Sequence, residues 1–255
     1  MSIQMPSELT WLLPVLFAPF IGSFMGVLIR RLPAGEPVLW GRSICPHCRH
    51  RLTARDLVPI VSWTLGKGRC RHCEAKLGWQ YPAVELAALA IAIWSAMVLS
   101  GWLVAATALY GWMLLTLAWV DQRHGYIPDV LSLPLVPLGL AAAWFAVPER
   151  WLDHLIGTVA GFAALFLVRE LYQRVRGRTG LGFGDVKLMA GLGAWVAWQG
   201  LASVVLIAAV SGLATAVATH RMGRPFDLAE RLAFGPHLAL GGWLVWLYGP
   251  LIPAP

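Results

Sequence analysis

The stretch "PAVELAALAIAIWSAMVLSGWLVAATALYGWMLLTLAWV", residues 82–120, carries a single charged residue, Glu85. A helix needs about 20 apolar residues to cross a bilayer, so this run is long enough for two crossings, and Ser100-Gly101 is the natural break. The rest of the chain agrees with that reading. Of 255 residues, 58% are hydrophobic and 13% charged, where soluble domains average roughly 25% charged. The mean hydropathy is +0.65. The expected fold class is all-α, a polytopic membrane protein. Further spans are expected near residues 9–29, 130–147, 153–168, 186–199, 201–219 and 232–250, which makes eight, the one at 186–199 being short. The first is not expected to be a cleaved signal peptide, because residues 1–10 contain Glu8 and neither Lys nor Arg. The 14 tryptophans suit membrane interfaces and packing between helices.

Basic residues in short loops stay on the cytoplasmic side. Ten of the chain's 20 lie between the first and second spans, from Arg30 and Arg31 to Lys76. Arg123, the group Arg169, Arg174, Arg176 and Arg178, and the group Arg221, Arg224 and Arg231 fall in every second loop thereafter. Both termini are therefore expected outside and the long basic loop inside. The net charge of +7 is explained by this topology and by attraction to anionic membrane lipid, with no role for nucleic acid. Three segments follow: a first transmembrane helix at 1–30, a cytoplasmic loop at 31–81 and a seven-helix core at 82–255.

That loop holds all four cysteines, in "CPHC" at 45–48 and "CRHC" at 70–73. Two C-x2-C pairs match a four-cysteine zinc ribbon, each turn presenting two thiolates to one tetrahedral ion. Disulfides are disfavoured in a reducing compartment, and a redox pair lacks the βαβ pattern that would support it. The expected ligands are Cys45, Cys48, Cys70 and Cys73, with His47, His50 and His72 as surface residues. Zinc would order a loop too small to build its own core.

Two acids stand out at span ends. Asp185, in "RTGLGFGDVKLMAGLGAW" (178–195), starts the sixth span, and Asp121, in "LAWVDQRHGYIPDVLSLP", ends the third. Two crossings separate them, so both are expected on the cytoplasmic side at similar depth. Neighbouring carboxylates near a low-dielectric interior can share a proton, one acting as base on water while the other donates to a carbonyl, as in aspartic proteases. Gly182 and Gly184 would let a peptide approach bare backbone. Structural alternatives stay open: Asp185 as the N-cap of a helix starting at Val186, and Asp121 as a partner of Arg123. Asp129, just after Pro128, reads as a first-turn dipole partner.

"GFGD" (182–185) matches the G-x-G-D motif of membrane aspartic proteases. With "IGSFMGVLIRRLP" (21–33), the paired cysteines, "VPIVSW" (58–63), "GKGRC" (66–70), "YPAVEL" (81–86), "VDQRHGYIPD" (120–129) and "FGPHLALGGW" (234–243), the chain resembles the bacterial type IV prepilin peptidases. The resemblance implies an inner-membrane enzyme with catalytic Asp121 and Asp185. It implies a prepilin or pseudopilin substrate whose basic leader is cut on the cytoplasmic side, and S-adenosylmethionine as the donor that methylates the new N-terminus. Two positions depart from the pattern: Gly26 and Leu57 stand where the family usually has asparagine. Weaker methyl transfer with normal cleavage is the expected consequence. The competing class is a transporter or metal sensor using intramembrane acids, which would place them in mid-span.

Overall fold

The computed structural model describes residues 10–38, 40–177, 180–222 and 233–251. Glu8, Arg178, Arg224 and Arg231 lie outside the described residues. The chain divides into two compact units, Met1–Trp112 and Met113–Pro255. Its secondary structure is helical throughout, with two isolated β-bridges among the described residues.

The first unit begins with α1 (Leu12–Arg31), whose last turn holds Arg30 and Arg31, cations that favour a helix C-terminus. Arg31 is buried, and its guanidinium donates to the carbonyls of Pro37 (2.9 Å), Trp40 (3.3 Å) and Arg42 (3.2 Å). The chain leaving α1 is thus wrapped around one cation. The cysteine segment, α2 (Val61–Leu65) and α3 (Gln80–Val98) follow. α1 and α3 approach closely because position 22 is glycine: a Cβ there would lie 2.6 Å from the Glu85 Cα. α4 (Trp102–His124) starts in this unit, where the Trp112 indole donates to the Ala88 carbonyl at 2.9 Å.

The second unit takes in the end of α4, then α5 (Asp129–Ser132), α6 (Leu135–Ala146), α7 (Trp151–Arg176), α8 (Phe183–Arg221) and α9 (Gly235–Tyr248). α6 is tied to α8 by the Trp195 indole, which donates to the Leu135 carbonyl at 3.0 Å. α7 meets α8 across glycines, since a Cβ on Gly157 would lie 2.7 Å from the Ala197 carbonyl carbon. Ala197 itself has φ 57° and ψ 178°, far from helical values. Met189 and Leu201 would be about 18 Å apart in one straight helix. Yet a Cβ on Gly161 would touch both the Met189 carbonyl oxygen (2.7 Å) and Leu201 Cδ2 (3.3 Å). The chain therefore doubles back at Ala197, and α8 is two limbs.

Counted as helical stretches of at least 18 residues, with α5 and α6 taken together as Asp129–Ala146, the apolar elements able to cross a membrane number six among the described residues, against the eight expected. The difference has a physical source. The regions expected as separate spans at 186–199 and 201–219 belong to the two limbs of α8, which turn without a loop, and the region at 232–250 holds the 14-residue α9.

Candidate active site and metal centre

Asp121 lies in the last turn of α4 and is 6% exposed; Asp185 lies in the first turn of α8 and is 8% exposed. Each is held by a backbone N–H. Gly235 N–H, at the start of α9, donates to Asp121 Oδ2 at 2.9 Å. Gly182 N–H donates to Asp185 Oδ2 at 3.2 Å. The two carboxylates are near enough for the charge on Asp121 to act on Asp185. Asp185 Oδ1 is buried with no hydrogen-bond partner. A buried acceptor left bare is costly, so this oxygen is the unsatisfied group of the site.

The N-cap expectation for Asp185 needs correction. The helix starts at Phe183 rather than Val186, Gly182 is the N-cap, and Asp185 reaches back to it from the third helical position. The glycines also serve the chain's own packing. A Cβ on Gly184 would lie 2.8 Å from the Ile127 Cβ, and one on Gly235 would lie 2.7 Å from Asp121 Oδ2 and 3.1 Å from Ile127 Cδ1. Ile127 therefore wedges between the starts of α8 and α9, which brings the two acids together. Space beside Gly184 is taken by Ile127 and does not stand open to a peptide.

Asp129 lies in the first turn of α5, where both its oxygens accept from Lys187 Nζ at 2.7 Å. Lys187 also lies 5.0 Å over the Phe183 ring, with the Arg169 guanidinium 5.5 Å from the same ring. Arg123 stacks over Trp119.

The cysteine segment is built from two like turns. Cys45 N–H donates to the His50 carbonyl and Cys70 N–H to the Ala75 carbonyl, both at 2.9 Å. Arg49 and Glu74 occupy the same place in each turn and both have φ 56°. Bridges between Ile44 and Arg51 and between Arg69 and Lys76 close the two bases. All four Sγ atoms lie within 4.8 Å of one another, with Cys45 and Cys73 at 3.9 Å. A tetrahedral ion with bonds of about 2.3 Å would hold its sulfurs about 3.8 Å apart, so the set fits zinc. Burial acts to raise the Cys45 thiol, but the Cys48 and His47 N–H groups and the neighbouring thiols outweigh it and bring it down to about 6. His50 and His72 are exposed and stack on each other at 3.6 Å, outside the sulfur cluster.

Residues 16–99 match the bacterial peptidase A24 N-terminal domain, and residues 108–217 match the type IV leader peptidase family. The chain is 36% identical over 273 residues to a prepilin leader peptidase/N-methyltransferase of Burkholderia pseudomallei (strain 1026b), covering 96% of this chain and 87% of the relative. This chain belongs to that peptidase family. Other members include the prepilin leader peptidase/N-methyltransferases of Aeromonas hydrophila (34% identical, 98% of this chain and 96% of the relative) and Pseudomonas aeruginosa (34%, 93% and 90%). No solved structure matches the chain.

Both positions at which the sequence departs from the usual family pattern, Gly26 and Leu57, line one cavity in the first unit. The hold of Gly235 on Asp121 was missed from sequence. A backbone donor has no residue signature, and only the "FGPH" segment marks its place.

Proposed function

We propose that this peptidase removes the short basic leader of a type IV prepilin or pseudopilin at the cytoplasmic face of the bacterial inner membrane, with Asp121 and Asp185 as its dyad. It then methylates the new N-terminus, with S-adenosylmethionine as donor. The observation that carries the reading is the meeting of two buried carboxylates from the end of α4 and the start of α8, one with a bare oxygen. The dyad holds one proton. The ionised carboxylate takes a proton from water as the water oxygen bonds to the scissile carbonyl carbon, and the other carboxyl gives its proton to the carbonyl oxygen. Collapse of the tetrahedral intermediate breaks the C–N bond. The proton leaving the diol returns to one carboxylate while the other protonates the departing amine, so the dyad again holds one proton.

The four cysteines at 45, 48, 70 and 73 would hold a structural zinc, which supplies a cross-link to the segment and no step of the reaction. The division of the chain at 1–30, 31–81 and 82–255 is kept in this reading, with membrane lipid as the surrounding partner and no nucleic acid. A transporter would need its acids in mid-span, whereas Asp121 and Asp185 sit at helix ends. Co-expression with a candidate prepilin, followed by mass spectrometry of the product, tests both steps. Leader loss with a methylated N-terminus is expected; an intact leader would overturn the reading.

A further inference from the structure

A cavity of about 190 Å³ opens in the first unit between α1, the cysteine segment, α2 and the start of α3, lined among others by Ser23, Gly26, Trp63, Arg69, Tyr81 and Glu85. Glu85 is the one acid of its long apolar stretch and is 8% exposed. Its Oε2 accepts from Ile60 N–H at 2.6 Å, and Ser23 lies beside the carboxyl. Ile60 has φ 63° and ψ −51°, a conformation that a β-branched residue avoids. The backbone is bent out of its preferred range where it meets this acid. A buried carboxylate is normally paired with a cation. Here the arginines that line the cavity are engaged elsewhere: Arg31 on backbone carbonyls, Arg30 within 3.7 Å of Glu36, Arg71 within 3.8 Å of Asp56, and Arg69 on the Glu74 carbonyl at 3.4 Å. Among the described residues no ion pair includes Glu85.

The other walls narrow the chemistry. Trp63 and Tyr81 bring aromatic side chains to the wall, suited to a flat ring or a cation, and Arg69, with one nitrogen on the Glu74 carbonyl, brings charge for a carboxylate. Beside Gly26 there is room, since a Cβ there would meet nothing within 4 Å. A ligand with a cationic centre, a planar base and a carboxylate satisfies all of these at once. We infer that this cavity is the seat of the sulfonium methyl donor, S-adenosylmethionine, with Glu85 as the counter-charge to its positive centre.

This inference rests on the methyl-transfer half of the proposed function, and a binding experiment separates the two. The purified full chain in detergent is titrated by calorimetry with S-adenosylmethionine and with S-adenosylhomocysteine, its neutral thioether counterpart. The native chain should bind both and prefer the sulfonium. Glu85→Gln should weaken sulfonium binding by about tenfold, the worth of one charge-assisted contact, and leave the thioether within about twofold, abolishing the preference. Gly26→Leu, which projects into free space, should weaken both ligands. It decides the matter if Glu85→Gln fails to fold. A native chain that binds neither ligand would overturn methyl transfer as a function. Native binding with both variants unaffected would overturn only the seat. Reduced methylation by Glu85→Gln with its sulfonium preference intact would put Glu85 at the amine acceptor, and would likewise overturn the seat.

Discussion

Asp185 spends one carboxylate oxygen on closing the first turn of α8 and leaves the other buried and bare. Asn keeps the size and the acceptor but removes the acid. Asp121→Asn and Asp185→Asn should therefore each abolish leader removal while the protein still inserts, and the double variant should be no worse than either, because residues acting as a unit fail together. Asp129→Asn loses an exposed pairing with Lys187, worth about 0 to 1 kcal/mol, and should still cut. A dead Asp129→Asn beside an active Asp121→Asn would redraw the dyad. The Gly235 position makes a sharper test. A methyl group there would press on Asp121 Oδ2, so Gly235→Ala should lower the single-turnover cleavage rate on the order of 100-fold, the scale of a misplaced catalytic group. The metal content should not change.

At the scale of elements, the reversal in α8 depends on a residue in the wrong conformation for its type. Ala197 sits in a region of φ and ψ that is essentially reserved for glycine and costs other residues about 1–3 kcal/mol. Ala197→Gly removes that strain against a glycine entropy cost of about 0.5–1 kcal/mol, so it should match or raise the thermal midpoint. Ala197→Val, with a branched side chain at a buried turn, should lower it clearly. A drop with glycine would show that the turn is unstrained. The cysteine segment is where a metal can be tested. Chelation, or Cys70→Ser, should open the arginine-rich stretch from Arg42 to Lys76 to trypsin, and zinc analysis of the intact protein should return one ion per chain. Equal protease resistance with and without chelator would show that the paired turns stand on their own hydrogen bonds.

For the molecule as a whole, the legible parts of the sequence were those with a strong local signature. The apolar run at 82–120 announced helices, the spacing of Cys45, Cys48, Cys70 and Cys73 announced a cluster, and "GFGD" marked a helix start bearing an acid. What stayed hidden depends on tertiary contacts. Nothing local says that an alanine will take a left-handed φ, so the limbs of α8 read as two spans with a boundary near residue 200, although the turn falls at Ala197 and has no loop. Gly184 reads as room for substrate until Ile127 is seen filling it. Glu85 reads as a tolerated charge until Ile60 and Ser23 are found beside it.

Two short limbs of the fold, residues 183–196 of α8 and the 14-residue α9, both start at the paired acids: one carries Asp185 and the other supplies the N–H on Asp121. Fourteen residues of helix extend about 21 Å, well short of a hydrocarbon core of about 30 Å. Lipid must thin or water must enter to make up the difference. The acids would then meet their substrate in a wet notch below the headgroups, where a pilin helix can slide in sideways while its polar leader stays hydrated. Acyl-chain length thus becomes a control on the enzyme. In vesicles of graded thickness cleavage should fall as the chains lengthen past the natural bilayer, and a rate indifferent to thickness would mean that the notch is sealed from lipid.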